Sequence, residues 1–180
     1  MCLGTDIKMD NKKSFLRKRN RLENFDYSQG GSYFVTICAK QHQCIFGNMN
    51  VDFSKSQYGE ATVVLTDVGK IIEKEILNIE QYYNNMVWIE MYVVMPNHIH
   101  FILNSNGGYL EKGQWLSSFP TVSKIVKHLK EVITKQVGYS VWQKSYYDHI
   151  IRNEKDYKEI CKYIDNNPQK WALDKYFCEW

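Results

Sequence analysis

The chain has 180 residues, a hydrophobic fraction of 44% and an aromatic fraction of 14%, which fit one folded domain and exclude a disordered polypeptide. Its net charge of +3 is too small to indicate nucleic-acid binding by itself. No apolar stretch approaches the roughly 20 residues of a membrane helix, and the N-terminus lacks the apolar core of a signal peptide. Five scattered cysteines without a C-x-x-C pair argue against a disulfide framework and a structural zinc site. We therefore expect a cytoplasmic protein with no membrane partner.

The first predicted segment is a polar N-terminal arm over residues 1–30. It carries a cationic run, which can neutralise phosphates and add a salt-sensitive affinity for DNA. A solvated terminal arm is the alternative. The basic residues of the run are Lys12, Lys13, Arg17, Lys18, Arg19 and Arg21.

Strands are expected to follow the arm. The β-branched and aromatic segment Ser32–Cys38 predicts a strand, and shorter strands are expected around Cys44–Phe46 and Ala61–Leu65. A helix is then expected to begin near Thr66, whose hydroxyl can cap it. Apolar residues at helical spacing give that helix one apolar face.

The second half of the chain predicts two strands, a helix, an aromatic strand and a last helix. They cover Met86–Met95, His98–Leu103, Val122–Ile133, Trp142–Ile151, and about Glu154 to a breaker at Asn166-Asn167-Pro168. Because strands and helices do not alternate strictly, we expect an α+β fold. The prediction is a ferredoxin-like sandwich, a mostly antiparallel sheet with helices on one face.

The most specific motif is Met95–Leu103, which contains His98 and His100. Side chains alternate in a strand, so both imidazoles share one face while the apolar residues between and after them share the other. The apolar set can pack on the helices, and the two imidazoles then point at the open face, close enough to hold one metal ion. Two ligands do not complete a metal site, and two polar side chains on a solvated sheet face are the alternative.

Tyr163 and Asn167 are four residues apart, so they lie on one side of the last helix, at the edge of its buried stripe. From there a phenol and a carbonyl oxygen can reach a site on the neighbouring sheet. Because the chain has 13 tyrosines, ordinary packing at the rim of the core is the alternative for Tyr163.

Three segments together resemble the REP-associated tyrosine transposases, relatives of the single-tyrosine insertion-sequence transposases in the HUH superfamily. They are YFVTIC near the start, MPNHIHFIL in the middle, and WQKSYYDHIIRNEKDYKEICKYIDNNPQKW near the end. The resemblance runs from about Arg19 to Trp171. It implies that residues 31–180 form one catalytic domain, with the active site on the sheet beside the C-terminal helix.

The resemblance also implies a role for each matching position. His98 and His100 would be paired metal ligands, Tyr163 the nucleophile, and Asn167 the third ligand. Two imidazoles and an amide oxygen suit Mg²⁺ or Mn²⁺.

Four further residues are weaker candidates. Asp148 and His149 match a motif of this branch, and we expect them to orient the site, contact DNA or serve a structural role. Lys127 and Lys130 can follow a DNA backbone, although a solvated helix face explains them equally well.

The implied activity is that of a metal-dependent endonuclease and transposase that cuts and rejoins DNA through a 5′-phosphotyrosine. The expected partner is single-stranded or hairpin-forming DNA, bound by a monomer or a homodimer. Two alternatives stay open at this point. One is a domesticated DNA-binding protein of the same fold that does not transpose, and the other is an unrelated metal hydrolase that uses a His-x-His pair.

Overall fold

The computed structural model describes residues 30–54, 59–110, 114–115 and 119–177. The basic arm therefore lies outside the described residues, with its expected DNA contacts Lys12, Lys13, Arg17, Lys18, Arg19 and Arg21. Within the described ranges, no helix has both the length and the apolar character needed to cross a membrane.

Strands and helices follow one another along the described residues without regular alternation. The strands are β1 (Gly31–Cys38), β2 (Gly47–Asp52), β3 (Glu60–Leu65), β4 (Val87–Val94), β5 (His98–Ser105), β6 (Tyr109–Leu110), β7 (Gln114–Trp115) and β8 (Tyr147–Ile151). The α-helices are α1 (Asp67–Leu77), α2 (Ile79–Tyr82), α3 (Val122–Val137) and α4 (Glu154–Asp165). Short 3-10 helices span Lys40–His42 and Pro168–Leu173.

Four strands form the central sheet, in the order β4-β5-β1-β8, and every neighbouring pair is antiparallel. The predicted hairpin joins β4 to β5, closed by a 2.8 Å hydrogen bond from the Met95 amide to the His98 carbonyl. Helix α1 lies between β1 and β4 in the chain, and α3 lies between β5 and β8. The prediction of an α+β fold with an antiparallel ferredoxin-like sheet is confirmed.

One face of the sheet carries the main core. Alternation along β1 and β5 turns every second side chain toward α1 and α3, whose apolar stripes cover this face. The residues that meet there include Tyr33, Val35, Ile37, Ile99, Phe101, Leu103, Ile72, Ile76, Ile125, Leu129 and Ile133. The intervening residues of β5, His98 and His100 among them, must therefore point at the other face.

Helix α4 packs on that other face. Its buried residues Ile160 and Ile164 contact Phe34 and Ile102 in a second, smaller cluster. The sequence predicted helices on one face only, whereas the structure has them on both faces. The reason is that β1 and β5 carry apolar side chains on both sides of the sheet. Helix α4, the predicted C-terminal helix, therefore lies on the same face of the sheet as His98 and His100.

Two capping side chains and one glycine set ends of three helices. The Thr66 hydroxyl accepts a 3.1 Å hydrogen bond from the Gly69 amide at the start of α1, and the Asn153 side chain accepts one of 2.9 Å from the Asp156 amide at the start of α4. Gly138 ends α3 with φ of 87°, a conformation that favours glycine. The Asn153 cap fixes the residue at which α4 begins, and so which of its later residues lie against the sheet.

Two predicted strands, around Cys44–Phe46 and over Trp142–Ile151, begin later in the structure, at Gly47 and Tyr147. Phe46 is a buried connection rather than part of a strand, since its amide donates to the Pro96 carbonyl at 2.9 Å and its carbonyl accepts from Thr66. Trp142 forms only an isolated bridge with Ala39, and the regular strand starts at Tyr147.

Among the described cysteines, Cys38 and Cys161 are free. Cys44 is disulfide-bonded, which the sequence did not predict.

Candidate active site

The two histidines of β5 lie side by side beneath α4 and the segment that follows it. Their ring centroids are 4.5 Å apart, which confirms that they share one face. The face is not open, because His98 is 0% and His100 1% exposed. Tyr176 and Trp171 cover His98 with centroids at 4.7 and 6.0 Å, and Tyr163 lies 5.1 Å from His100.

Asn97 fixes the orientation of His98. Its amide nitrogen donates to the carbonyl oxygens of His42 at 3.1 Å and Tyr176 at 2.7 Å, so its oxygen must be the atom that faces His98 Nδ1 at 2.9 Å. An amide oxygen can only accept, so Nδ1 carries the proton. The lone pair of His98 therefore sits on Nε2, a buried atom with no hydrogen-bond partner.

His100 lies between the sheet and α4. Its Nδ1 is 2.8 Å from the Thr36 hydroxyl, and its Nε2 is 3.3 Å from the Tyr163 hydroxyl. Phe34 stacks on the ring with centroids 5.2 Å apart. The paired strand β1 thus supplies both the hydrogen bond and the apolar wall that hold this imidazole.

Both imidazoles are held neutral. Burial lowers the pKa of His98 to about 2, with a smaller contribution from the neighbouring His100. Burial, followed by the charge of Lys175, lowers the pKa of His100 to about 3. A metal ion binds the neutral imidazole, so this pair is in the required protonation state at physiological pH.

Tyr163 presents its hydroxyl to the histidines from α4, and the side chain is 40% exposed. The oxygen is 3.5 Å from Asp174 Oδ2 in addition to its contact with His100. Burial raises the pKa of the phenol, and the Asp174 charge raises it further, while a hydrogen bond from Asn167 lowers it. The phenol is therefore protonated at neutral pH and requires a proton acceptor before it can attack.

The donor atoms around Tyr163 fit a divalent cation. One ligand atom from each of His98, His100 and Asp174 lies within 4.8 Å of the others. The Oδ1 atom of Asn167 is also buried and has no hydrogen-bond partner. Two neutral nitrogens with carboxylate and amide oxygens form a donor set that suits Mn²⁺ or Mg²⁺.

Of the four weaker candidates, one lies at the site and three do not. His149 lines the cleft beside Tyr163 and contacts the Asp156 carboxylate through Nε2 at 2.9 Å. Asp148 is buried and, by strand alternation, points to the other face of β8. Lys127 and Lys130 lie on α3, which covers the opposite face of the sheet.

Asp174 and Tyr176 are the site residues that sequence reasoning missed. Both follow the 3-10 helix Pro168–Leu173, beyond the breaker where the predicted elements ended. They have no periodic spacing relative to the His-x-His motif, so the sequence contains no signal that places them beside it.

An open cleft of about 580 Å³ leads to the hydroxyl of Tyr163. Its walls come from β1, β5, β8 and α4, and from the segment after α4. Residues that line it include Phe34, Thr36, His100, Tyr147, His149 and Lys175. The exposed ring of Tyr147 lies next to Lys175, and such a pair is suited to an unpaired base and its phosphate.

The chain is similar to known proteins over most of its length. An uncharacterised protein of Haemophilus influenzae is 30% identical over 183 residues, covering 91% of this chain and 94% of that protein. A REP-associated tyrosine transposase of Escherichia coli is 25% identical over 156 residues, covering 86% of this chain and 76% of that protein. No protein-family model matches the chain.

A solved structure shares the fold. It is a REP-associated tyrosine transposase bound to a REP hairpin, with a TM-score of 0.55 and 22% identity, and the match covers 86% of this chain and 76% of that one. The two chains share the antiparallel α+β fold. The chain is similar in sequence and in fold to REP-associated tyrosine transposases.

Proposed function

We propose that this protein cuts and rejoins single-stranded DNA, with Tyr163 as the nucleophile and a divalent metal as the cofactor. The observation that carries the proposal is the position of the Tyr163 hydroxyl. It lies 3.3 Å from His100 Nε2, next to the cluster of His98, His100 and Asp174. A nucleophile and metal-binding donors are therefore available at one point of an accessible cleft.

His98 and His100 would hold the ion, with Asn167 as the third ligand. The buried, unpartnered atoms His98 Nε2 and Asn167 Oδ1 support this assignment, because a bound cation would satisfy both. Held by these residues, a divalent ion would supply polarisation of the scissile phosphate and stabilisation of its developing charge. The Asn97 oxygen accepts a hydrogen bond from His98 Nδ1, and the Thr36 hydroxyl shares one with His100 Nδ1. Outer contacts of this kind orient metal-binding imidazoles.

Tyr163 forms the covalent bond. Its phenolic oxygen attacks phosphorus, the bond from phosphorus to the 3′ oxygen breaks, and the leaving strand takes up a proton as a free 3′-hydroxyl. With His98, His100 and Asn167 as the assigned ligands, the Asp174 carboxylate 3.5 Å from the phenol is left as the base for the phenolic proton. The 5′-phosphotyrosine retains the energy of the phosphodiester, and attack by a 3′-hydroxyl can then rejoin a strand without ATP.

Single-stranded or hairpin-forming DNA is the substrate class we infer. The related transposase whose structure is solved is bound to a REP hairpin, and the cleft beside Tyr163 carries the exposed ring of Tyr147. Stacking on such rings requires unpaired bases.

The test compares cleavage of a labelled single strand with cleavage of its duplex, with Mn²⁺, with Mg²⁺ and with EDTA. We expect metal-dependent cutting of the single strand, little cutting of the duplex, and loss of cutting in His98→Ala and Tyr163→Phe. Tyr147→Phe is the matched control, since it removes another phenol of the same cleft and should still cut. DNA binding without cleavage would instead support a non-transposing binding protein, and cleavage by Tyr163→Phe would support a metal hydrolase.

A further inference from the structure

A second cleft, of about 820 Å³, lies between α3 and residues 140–146. We call it the lysine cleft, and the residues that define it are Lys127, Lys130, Lys135, Lys144, Trp142 and Tyr146. Helix α3 covers the face of the sheet that carries the main core, whereas Tyr163 lies on the other face. The lysine cleft is therefore separate from the candidate active site.

The lysine cleft is strongly cationic. Four lysines line it against one carboxylate, Glu131, and Lys127, Lys135 and Lys144 are exposed. Glu131 lies 3.6 Å from Lys127, and both of these side chains are more than half exposed, so their ion pair is weak. The positive charges of the exposed lysines are therefore available to an anionic ligand.

The inner wall of the cleft is held by Lys130 and Trp142. Lys130 is half-buried and donates to the carbonyl oxygens of Gln143 at 2.6 Å and Ser145 at 3.4 Å, which fixes the segment opposite α3. Trp142 is only 6% exposed and packs on Phe46 in the main core, so it anchors this part of the lining. Lysine ammonium groups favour a ligand rich in acceptor oxygens, such as a chain of phosphates.

The two clefts meet at one edge of the sheet. Strand β8 is an edge strand, and the consecutive residues Tyr146 and Tyr147 line different clefts. Tyr146 lines the lysine cleft, and Tyr147 lines the cleft of Tyr163. A chain that leaves the active cleft past Tyr147 therefore reaches the lysine cleft by turning around β8.

We propose that the lysine cleft binds the phosphate backbone of the same DNA strand where it continues beyond the active cleft and around the β8 edge. The inference rests on the proposed function, because it needs single-stranded DNA in the first cleft. It assigns Lys127, Lys135 and Lys144 to phosphate binding, and it assigns Lys130 to the support of the cleft wall.

The test is a charge-matched pair of triple variants. The first, Lys127→Gln/Lys135→Gln/Lys144→Gln, removes the exposed charges of the lysine cleft and keeps Lys130. The control, Lys70→Gln/Lys155→Gln/Lys158→Gln, removes three exposed lysines, each near a carboxylate of its own helix and outside both clefts. Thermal unfolding of both should match the wild type, since every replaced side chain is exposed.

Binding is measured by fluorescence anisotropy with two labelled single strands, one of about six nucleotides and one roughly three times longer, which bracket the site sizes of single-strand binding folds. For the long strand, each lost phosphate contact lowers the slope of log affinity against log salt by about 0.7. The first variant should therefore lose a slope of about 2 and bind up to roughly 100-fold more weakly at 0.1 M salt. The control should change little, and the short strand should be bound equally by all three proteins.

Equal losses in the two triple variants on the long strand would overturn the proposal, and so would an equal loss on the short and long strands. The proposed function is tested separately by the adduct on Tyr163, because neither variant changes a residue of the candidate active site. If the wild type does not bind the short strand, the proposed function is in doubt. The comparison of the two variants on the long strand still decides whether the lysine cleft binds DNA.

Discussion

Acidification should destabilise the metal-free protein through His98 and His100. Their pKa values in the folded state are about 2 and about 3, well below the value near 6.5 of an unfolded chain. Between these limits the unfolded state binds more protons than the folded state, so stability falls as the pH falls below about 6.5. The effect is opposite in sign to that of a histidine paired with a carboxylate.

The magnitude follows from the two shifts. At pH 7.5 neither ring takes up an appreciable proton on unfolding, whereas at pH 5.5 each takes up nearly one, which costs about 1.4 kcal/mol per histidine. The two together should lower the free energy of unfolding by roughly 3 kcal/mol between these pH values. Asp156, whose pKa is lowered by its hydrogen bond with His149, titrates below this window and does not contribute.

The assay is urea unfolding at pH 7.5 and pH 5.5 in the presence of EDTA. The control is His98→Gln/His100→Gln, which lacks both titrating rings and keeps the other histidines, so its loss over the same window should be smaller by about 3 kcal/mol. If the double variant does not fold, His100→Gln alone should show half of the difference. Equal losses in wild type and variant would show that the imidazoles are not buried in their neutral form.

Three further changes test the supports of the site. Asn97→Ala removes the acceptor that orients His98 and should weaken Mn²⁺ binding by about 10–100-fold in calorimetric titration; unchanged affinity would contradict the assigned orientation. Ile164→Ala deletes a side chain that is 1% exposed and should cost about 2–5 kcal/mol in urea unfolding, whereas a negligible loss would mean that α4 is not anchored there. Asn153→Ala removes the cap of α4 and should cost about 1 kcal/mol in the same assay, and Asn153→Asp, which keeps an acceptor, should retain most of it.

The part of the site that the sequence predicts comes from regular geometry. The period of two along β5 places His98 and His100 on one face, and the resemblance to a known family gives that pair and Tyr163 their roles. The sequence also brings Tyr163 and Asn167 together, although Asn167 follows the end of α4 at Asp165; a hydrogen bond from Asn167 lowers the pKa of the Tyr163 phenol. These relations are local, so they depend little on the rest of the fold.

The remaining part depends on tertiary packing. Asp174 and Tyr176 reach the histidines only because the segment after Pro168 turns back across the sheet, a path with no periodic signal in the sequence. The burial of His98 and His100 has the same origin, and so it could not be predicted from β5 alone. Likewise, Lys127 and Lys130 are equivalent in the sequence of α3, but one is exposed and the other supports a neighbouring loop.

The identity of the tyrosine that bonds to DNA tests the central claim most directly. Three tyrosines lie close enough to compete, since Tyr147 lines the same cleft and the Tyr176 ring is 4.7 Å from that of His98. The measurement is incubation of the protein with 5′-labelled and 3′-labelled single strands and a divalent metal, followed by denaturing electrophoresis and peptide mapping of the adduct. The account predicts that the fragment on the 3′ side stays attached through its 5′ phosphate to Tyr163, and that Tyr163→Phe folds but forms no adduct. An adduct that maps to Tyr147 or Tyr176, or one that persists in Tyr163→Phe, would contradict it.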